Sequence, residues 1–175
     1  ISGQLSLAIQ RKLNEEKIQN QAARLNAIFE SSTHQIWSID SKYQFTSFNK
    51  NYSDAFNSYY GFQPKLGMGF DHTGFDKKTK EFWIKKYDEA FQGKIVNFQR
   101  MQKAKKGDKV WRDVFLNPIF LPNGEIQEIS VIANDITEKK RSETALKESE
   151  EKFRNIFESF QDVYFRCDME GHISM

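Results

Sequence analysis

The chain has 175 residues, room for one domain of about 100–150 residues with helical extensions, which excludes a multidomain enzyme. Apolar residues make up 38% and aromatic residues 14%, with 16 Phe against 3 Pro, a composition for a soluble packed core and not for a disordered tail. With 26 basic and 24 acidic side chains the formal charge is +2, so bulk charge predicts no nucleic-acid partner, and a lone Cys167 excludes an internal disulfide framework or a cysteine-based zinc site and fits a reducing compartment. No apolar run approaches the ~18–20 residues of a membrane span and no signal-peptide pattern opens the chain, so no membrane insertion is expected.

Residues 1–30 contain one Gly and no Pro, with apolar Ile1, Leu5, Ala8, Ile9 and Leu13 followed by Ile18, Ala22, Leu25 and Phe29. This spacing predicts a long amphipathic helix whose two apolar groups do not share a register, so a change of packing partner is expected near Asn14 to Lys17. Gln35–Asp40 and Tyr43–Phe48 read as two short strands joined at Ser41-Lys42, and Asn49 stands where a helix N-cap would precede Tyr52, Ala55 and Phe56. Gly61, Pro64, Gly67, Gly69 and Gly74 break residues 57–76 into loop and short helical turns. Phe82, Tyr87, Ala90 and Phe91 then mark a helix over 77–91 that ends at Gly93.

Lys94–Gln102, Lys109–Ile119 and Ile126–Asn134 read as an antiparallel meander, with turn chemistry at 104–108 and 121–125. Thr137 is the expected N-cap of a second long helix, in which Leu146, Ser149, Phe153, Ile156 and Phe160 recur at spacings of 3, 4, 3, 4, the pattern of a coiled-coil seam. Ile28-Phe29-Glu30-Ser31 recurs as Ile156-Phe157-Glu158-Ser159, an offset of 128 that places Trp37 on Phe165, Asp40 on Asp168, Phe45 on Ile173 and Thr46 on Ser174. The chain therefore reads as one repeat followed by the start of a second.

This element order resembles the Per-Arnt-Sim (PAS) sensor family over roughly Ile28 to Lys140. The resemblance is carried by the Trp37 to Asp40 strand, Phe48-Asn49, Tyr60-Gly61, the Trp111 strand running into Leu116-Asn117-Pro118-Ile119, and Asn134-Asp135-Ile136-Thr137. Residues 145–154 resemble the linker between consecutive PAS domains of bacterial sensor histidine kinases, and residues 1–12 are similar to the exit helix of a GAF domain. The expected organisation is a linker helix over 1–27, a PAS domain over 28–136, a coiled-coil linker over 137–155 and a truncated second PAS repeat over 156–175. The resemblance implies an α+β fold: a five-stranded antiparallel sheet with short helices on one face, flanked by long amphipathic helices. Between sheet and helices, relatives hold haem, flavin or a small metabolite.

The chemistry of this sequence narrows those ligands without naming one, so the cofactor stays unknown. The flavin-adduct branch needs a Cys in an Asn-Cys-Arg-Phe run, and the only Cys is Cys167. The haem branch uses a His on the long inner helix; residues 77–91 have none, and His72 just before it is the only positional candidate. His34 and His172 share no metal-like spacing with acidic residues, and the Gly67 to Gly74 region is not a phosphate loop. Lys103, Lys105, Lys106 and Lys109 read as a solvated hairpin tip or a contact for an acidic partner.

The aromatic residues Phe48, Tyr52, Phe56, Tyr60, Phe70 and Phe82 either fill the core or line a small apolar ligand site, with Asn117 and Ser130 as polar anchors should they point inward. Asp135 and Thr137, at the junction of last strand and exit helix, are the expected signal relay, and Leu146, Ser149, Phe153 and Ile156 the expected homodimer seam. No nucleophile-base pair or phosphoacceptor pattern is present, so no catalysis is expected of this segment. The functional expectation is a cytoplasmic sensory module of a two-component histidine kinase, dimerising and relaying a signal through its flanking helices to the other domains of its parent. The alternative is a passive dimerisation or protein-docking module with a filled core.

Overall fold

The computed structural model describes residues 2–72, 74–103, 109–161, 166–167 and 173–174, which divide into two units at Asp135/Ile136. The first unit opens with α1 (Ser2–Ser31) and continues through β1 (Gln35–Asp40), β2 (Phe45–Phe48), α2 (Lys50–Tyr60), a single 3-10 turn at Phe70–His72, α3 (Lys77–Phe91), β3 (Val96–Lys103), β4 (Lys109–Phe120) and β5 (Ile126–Asp135). The strands form one antiparallel sheet in the order β2-β1-β5-β4-β3. This is the expected α+β architecture, with the last strand in sequence at the centre of the sheet.

Strand alternation decides which side faces the core. Trp37 and Ile39 of β1, Val114 and Leu116 of β4, and Ile129, Val131 and Ala133 of β5 are all buried, and the ladder pairs Trp37 with Val131 and Val131 with Leu116. On this face α2 buries Tyr52 and Phe56, four residues apart, and α3 buries Tyr87 and Ala90, three apart. Aromatic rings mesh at this interface: Trp37 lies 4.5 Å from Tyr52 between ring centroids, and Phe45 meets Phe56 edge-on at 6.2 Å.

Two local devices set the entry to this core. In the β1–β2 turn the Asp40 carboxylate accepts from the N–H groups of Lys42 and Gln44 at 2.9 and 3.0 Å, while Tyr43 takes a left-handed φ of 58°. Tyr43 is held in that unfavourable backbone region by packing on Phe70 and by donating its hydroxyl to Asp88 of α3. The second device is Asn49, fully buried, whose Oδ1 accepts from Tyr52 N and Ile36 N and whose Nδ2 donates to Phe29 O and His34 O. It caps α2 and at once ties that helix to β1 and to the end of α1. Gly61, with φ 84°, ends α2 in the left-handed conformation that glycine adopts without a Cβ clash.

α1 is a single unbroken helix, and its apolar residues Leu13, Ile18 and Leu25 are 58%, 65% and 68% exposed. The second unit consists of α4 (Thr137–Gln161) and the paired strands β6 (Arg166–Cys167) and β7 (Ile173–Ser174). α4 runs without interruption across residues 155 and 156, where the linker and the second repeat were expected to meet. Its Leu146, Phe153 and Ile156 are 63%, 61% and 49% exposed. Cys167 pairs with Ile173, the pairing that the repeat offset carries over from Ile39 with Phe45; Phe165, Asp168 and His172 lie outside the described residues, as do Lys105 and Lys106.

Asn49 generates a stability test. Asn49→Ala leaves two N–H groups, one of them buried, and two carbonyls without this partner, and should cost about 3 kcal/mol in urea denaturation. Asn49→Asp keeps the two accepted bonds but not the two donated ones, and should fall between wild type and Ala; equal stability of all three proteins would contradict the role given to this side chain.

Candidate functional site

Beside the aromatic core the first unit holds a cavity of about 350 Å³. Gln35 and Trp37 of β1, Val114 of β4 and Ala133 of β5 form its floor, and Tyr59 and Tyr60 at the end of α2 and Trp83 of α3 form its apolar wall. Asp76, Thr79, Arg100, Gln102 and Arg112 add polar groups at one end. The polar end follows from strand register. Arg100 pairs directly with Arg112, and Arg112 with Asp135, so three charged residues stand in a row across β3, β4 and β5, in phase with the buried residues of those strands.

Each arginine is partly held. The Arg100 guanidinium lies over the Phe82 ring at 4.7 Å and near Trp83 at 5.9 Å, and its Nη2 donates to Thr79 Oγ1 at 3.3 Å. Burial lowers its pKa, against the opposing pull of Tyr60 and Asp76. Arg112 is 16% exposed and forms an ion pair with Asp135, Nη1 to Oδ2 at 3.3 Å; its Nε is buried and has no hydrogen-bond partner. Asp76 is the N-cap of α3, accepting from Thr79 N at 2.7 Å and from Thr79 Oγ1 at 3.1 Å, and the Thr79 backbone bond leads in holding its carboxyl below the ordinary value.

The aromatic candidates divide between core and cavity. Only Tyr60 lines the larger cavity. Tyr52, Phe56 and Phe70 surround, with Tyr60, a hollow of about 60 Å³, room for a few waters and well below the volume of ordinary ligand pockets. Phe48 packs beside the core, and Phe82 lies under Arg100 against Phe98, outside the cavity lining. His72 ends the 3-10 turn, and its side chain is outside the described residues. The trait that marks the site is polarity in phase with a core stripe: Val96, Phe98, Arg100 and Gln102 share one parity on β3, as Arg112, Val114 and Leu116 do on β4. Sequence reasoning passed over Arg100, Arg112, Asp76, Thr79 and Trp83.

Two expectations are corrected. Asn117 and Ser130 do not point inward: they pair with each other and Ser130 with Ser38, one residue out of phase with buried Leu116, Ile129 and Val131. They belong to a polar row on the other face, where Ser38 bonds Ser47 at 2.8 Å and Thr46 donates to Glu128 at 2.8 Å. Thr137 is not the N-cap, because Lys140 N donates to Ile136 O at 2.9 Å, which starts the helix one residue earlier and makes Thr137 its first residue. Among the described residues no cluster of His, Cys, Asp and Glu could hold a metal ion, and no helix is long and apolar enough to cross a membrane.

No protein-family model matches the chain, and no curated protein matches it. Solved structures do. A PAS domain from Colwellia psychrerythraea superposes with a TM-score of 0.50 at 18% identity, over 69% of this chain and 98% of that one. A sensory box histidine kinase/response regulator from Burkholderia thailandensis gives 0.51 at 13% identity, over 75% and 98%. The VqmA dimer of Vibrio cholerae gives 0.54 at 15% identity, over 67% of this chain and 52% of that one. The class is thus an α+β domain with an open five-stranded antiparallel sheet and helices packed on one face. More particularly, it is the PAS fold.

Tyr60 offers a pH test of this wall. Burial leads in raising its pKa from 10.0 to about 12, and burial also raises Tyr52 and Tyr87. A raised folded-state pKa stabilises the neutral form, so this contribution is complete below pH 10.0 and is lost as the pH climbs through about 12. Denaturant midpoints measured in that alkaline window should fall steeply for the wild type and less steeply for Tyr60→Phe; parallel curves would place Tyr60 in solvent.

Proposed function

We propose that this chain is a sensory and signal-transducing PAS module of a bacterial two-component sensor histidine kinase, acting in the cytoplasm and itself without catalytic activity. The observation that carries this reading is the continuity of β5 with α4. The central strand ends at Asp135, whose carboxylate meets Arg112 at the cavity wall, and the next residues begin the exit helix. A ligand that shifts Arg112 acts on the last residue of β5, two residues before that helix begins. The ion pair is half exposed at Asp135 and is worth about 0.5–1 kcal/mol, small enough for modest binding energy to rearrange.

Three further observations support the reading. The solved neighbour from Burkholderia thailandensis is by its own name a sensory box histidine kinase/response regulator. Leu146, Phe153 and Ile156 stand exposed on α4 at seam spacing with Ser149, as a homodimer through flanking helices requires. The VqmA neighbour is described as a dimer. In this mechanism the signal passes from cavity to β5, and the paired helices carry a rotation or register change onward to the other domains of the parent. The cavity weighs against the alternative of a passive docking module with a wholly filled core.

Asp135→Asn should reduce the ligand-dependent change in autophosphorylation of the full-length parent several-fold while costing the domain under ~1 kcal/mol. Unchanged output from a destabilised domain would sink the relay. Sedimentation equilibrium of the present chain should show a dimer that Phe153→Glu shifts to monomer, and a wild-type monomer at all concentrations would remove the seam.

A further inference from the structure

The charged end of the cavity identifies a chemical class of ligand, an inference that rests on the sensory reading above. Arg100 and Arg112 face each other as direct partners on neighbouring strands, an arrangement that is unfavourable for like charges unless an anion lies between them. The acidic groups at hand only partly supply it. Asp135 approaches Arg112 from the β5 side, Nη1 to Oδ2 at 3.3 Å, with its carboxylate half exposed, and Asp76 accepts from Thr79 through both of its carboxylate oxygens. Each guanidinium carries several N–H donors, yet Arg100 uses one on Thr79 and the buried Nε of Arg112 has no acceptor at all. The site is rich in donors and poor in acceptors.

The other end of the cavity is different in kind. Trp37 and Trp83, 5.8 Å apart edge to face, and Tyr60 offer flat apolar surface. The volume of about 350 Å³ sits at the small end of ligand pockets. We propose that the cavity binds a small organic carboxylate with a flat apolar body, its carboxylate taken by Arg100 and Arg112 and its body laid against the two indoles. A planar carboxylate matches a guanidinium through two parallel bonds, and it supplies the acceptors that the arginines lack. Inorganic phosphate would engage the arginines and leave the indoles uncovered.

The test uses sodium phenylacetate and its neutral analogue phenylacetamide, titrated into the whole chain at fixed ionic strength and followed by tryptophan fluorescence and calorimetry. A fragment of this size binds in the millimolar range at best. Phenylacetate should bind at least tenfold tighter than phenylacetamide and tighter than inorganic phosphate. Arg100→Gln and Arg112→Lys, the latter keeping the charge but losing the fork, should each weaken phenylacetate about tenfold and leave phenylacetamide unchanged. Equal affinity for acid and amide, no detectable phenylacetate binding, a preference for phosphate, or acid selectivity that survives both substitutions overturns the proposal. The comparison of acid with amide needs no variant, so it stands even if a substituted protein fails to fold. Failure here with the Asp135→Asn output effect intact removes the ligand class and leaves the relay. Acid-selective binding with unaffected output in Asp135→Asn removes the relay and leaves the site.

Discussion

The domain is held in register by the side chain of Asn49. A carboxamide can accept two hydrogen bonds and donate two, and here all four are made within the protein: two accepted from Ile36 and Tyr52, two donated to Phe29 and His34. Neither Asp nor Ser could satisfy the same four groups, since the first lacks donors and the second lacks reach. The bonds join the end of α1, the start of β1 and the first turn of α2. The carboxamide itself is fully buried, and its bond from Tyr52 is buried too, so at that end water cannot replace it. The position of β1, and hence of Trp37 one residue beyond Ile36, follows from this junction.

Trp37 is where the solid and hollow parts of the interior meet. Its ring stacks on Tyr52 on one side and meets Trp83 edge-on at another, while its Nε1 donates to the buried hydroxyl of Tyr87 at 2.9 Å. Toward Tyr52, Phe45 and Phe56 the rings close on one another and leave little space. Toward Arg100 and Arg112 the inner face changes from aliphatic to cationic, and the long guanidinium ends, held by Phe82, Thr79 and Asp135, do not close the space as packed apolar rings do. One interior therefore contains a rigid half and an accessible half, with the indole of Trp37 as their common wall.

The order and type of the elements were legible because each rests on local signals: Asn49 before an apolar pair, Gly93 after the α3 stripe, and Leu121-Pro122-Asn123-Gly124-Glu125 between two alternating runs. The site was less legible for a physical reason. A cavity is a place where packing fails to close, and no local pattern encodes that failure; the long list of aromatic residues could not say that Tyr52 and Phe56 fill space while Tyr60 borders it. Asn117 and Ser130 show the second limit, since a shift of one residue in strand phase moves a polar side chain from the pocket to the opposite face. Arg100 and Arg112 were readable in principle, as charges standing in phase with Phe98 and Val114, but their mutual pairing needs the register of two strands that no local pattern fixes.

The strand order β2-β1-β5-β4-β3 carries a consequence for how the chain is made. The ribbon β1–β2 and the ribbon β3–β4 share no edge, and each acquires its second neighbour only when β5 inserts between them. During synthesis both ribbons must wait with unpaired edges until Ile126 to Asp135 has left the ribosome, so the nascent domain passes through a window in which strand edges are open to wrong partners. The long-range pairing from Gln35 with Ala133 to Asp40 with Glu128 then closes the sheet in one late step, which makes folding of this domain slow to begin and cooperative once begun.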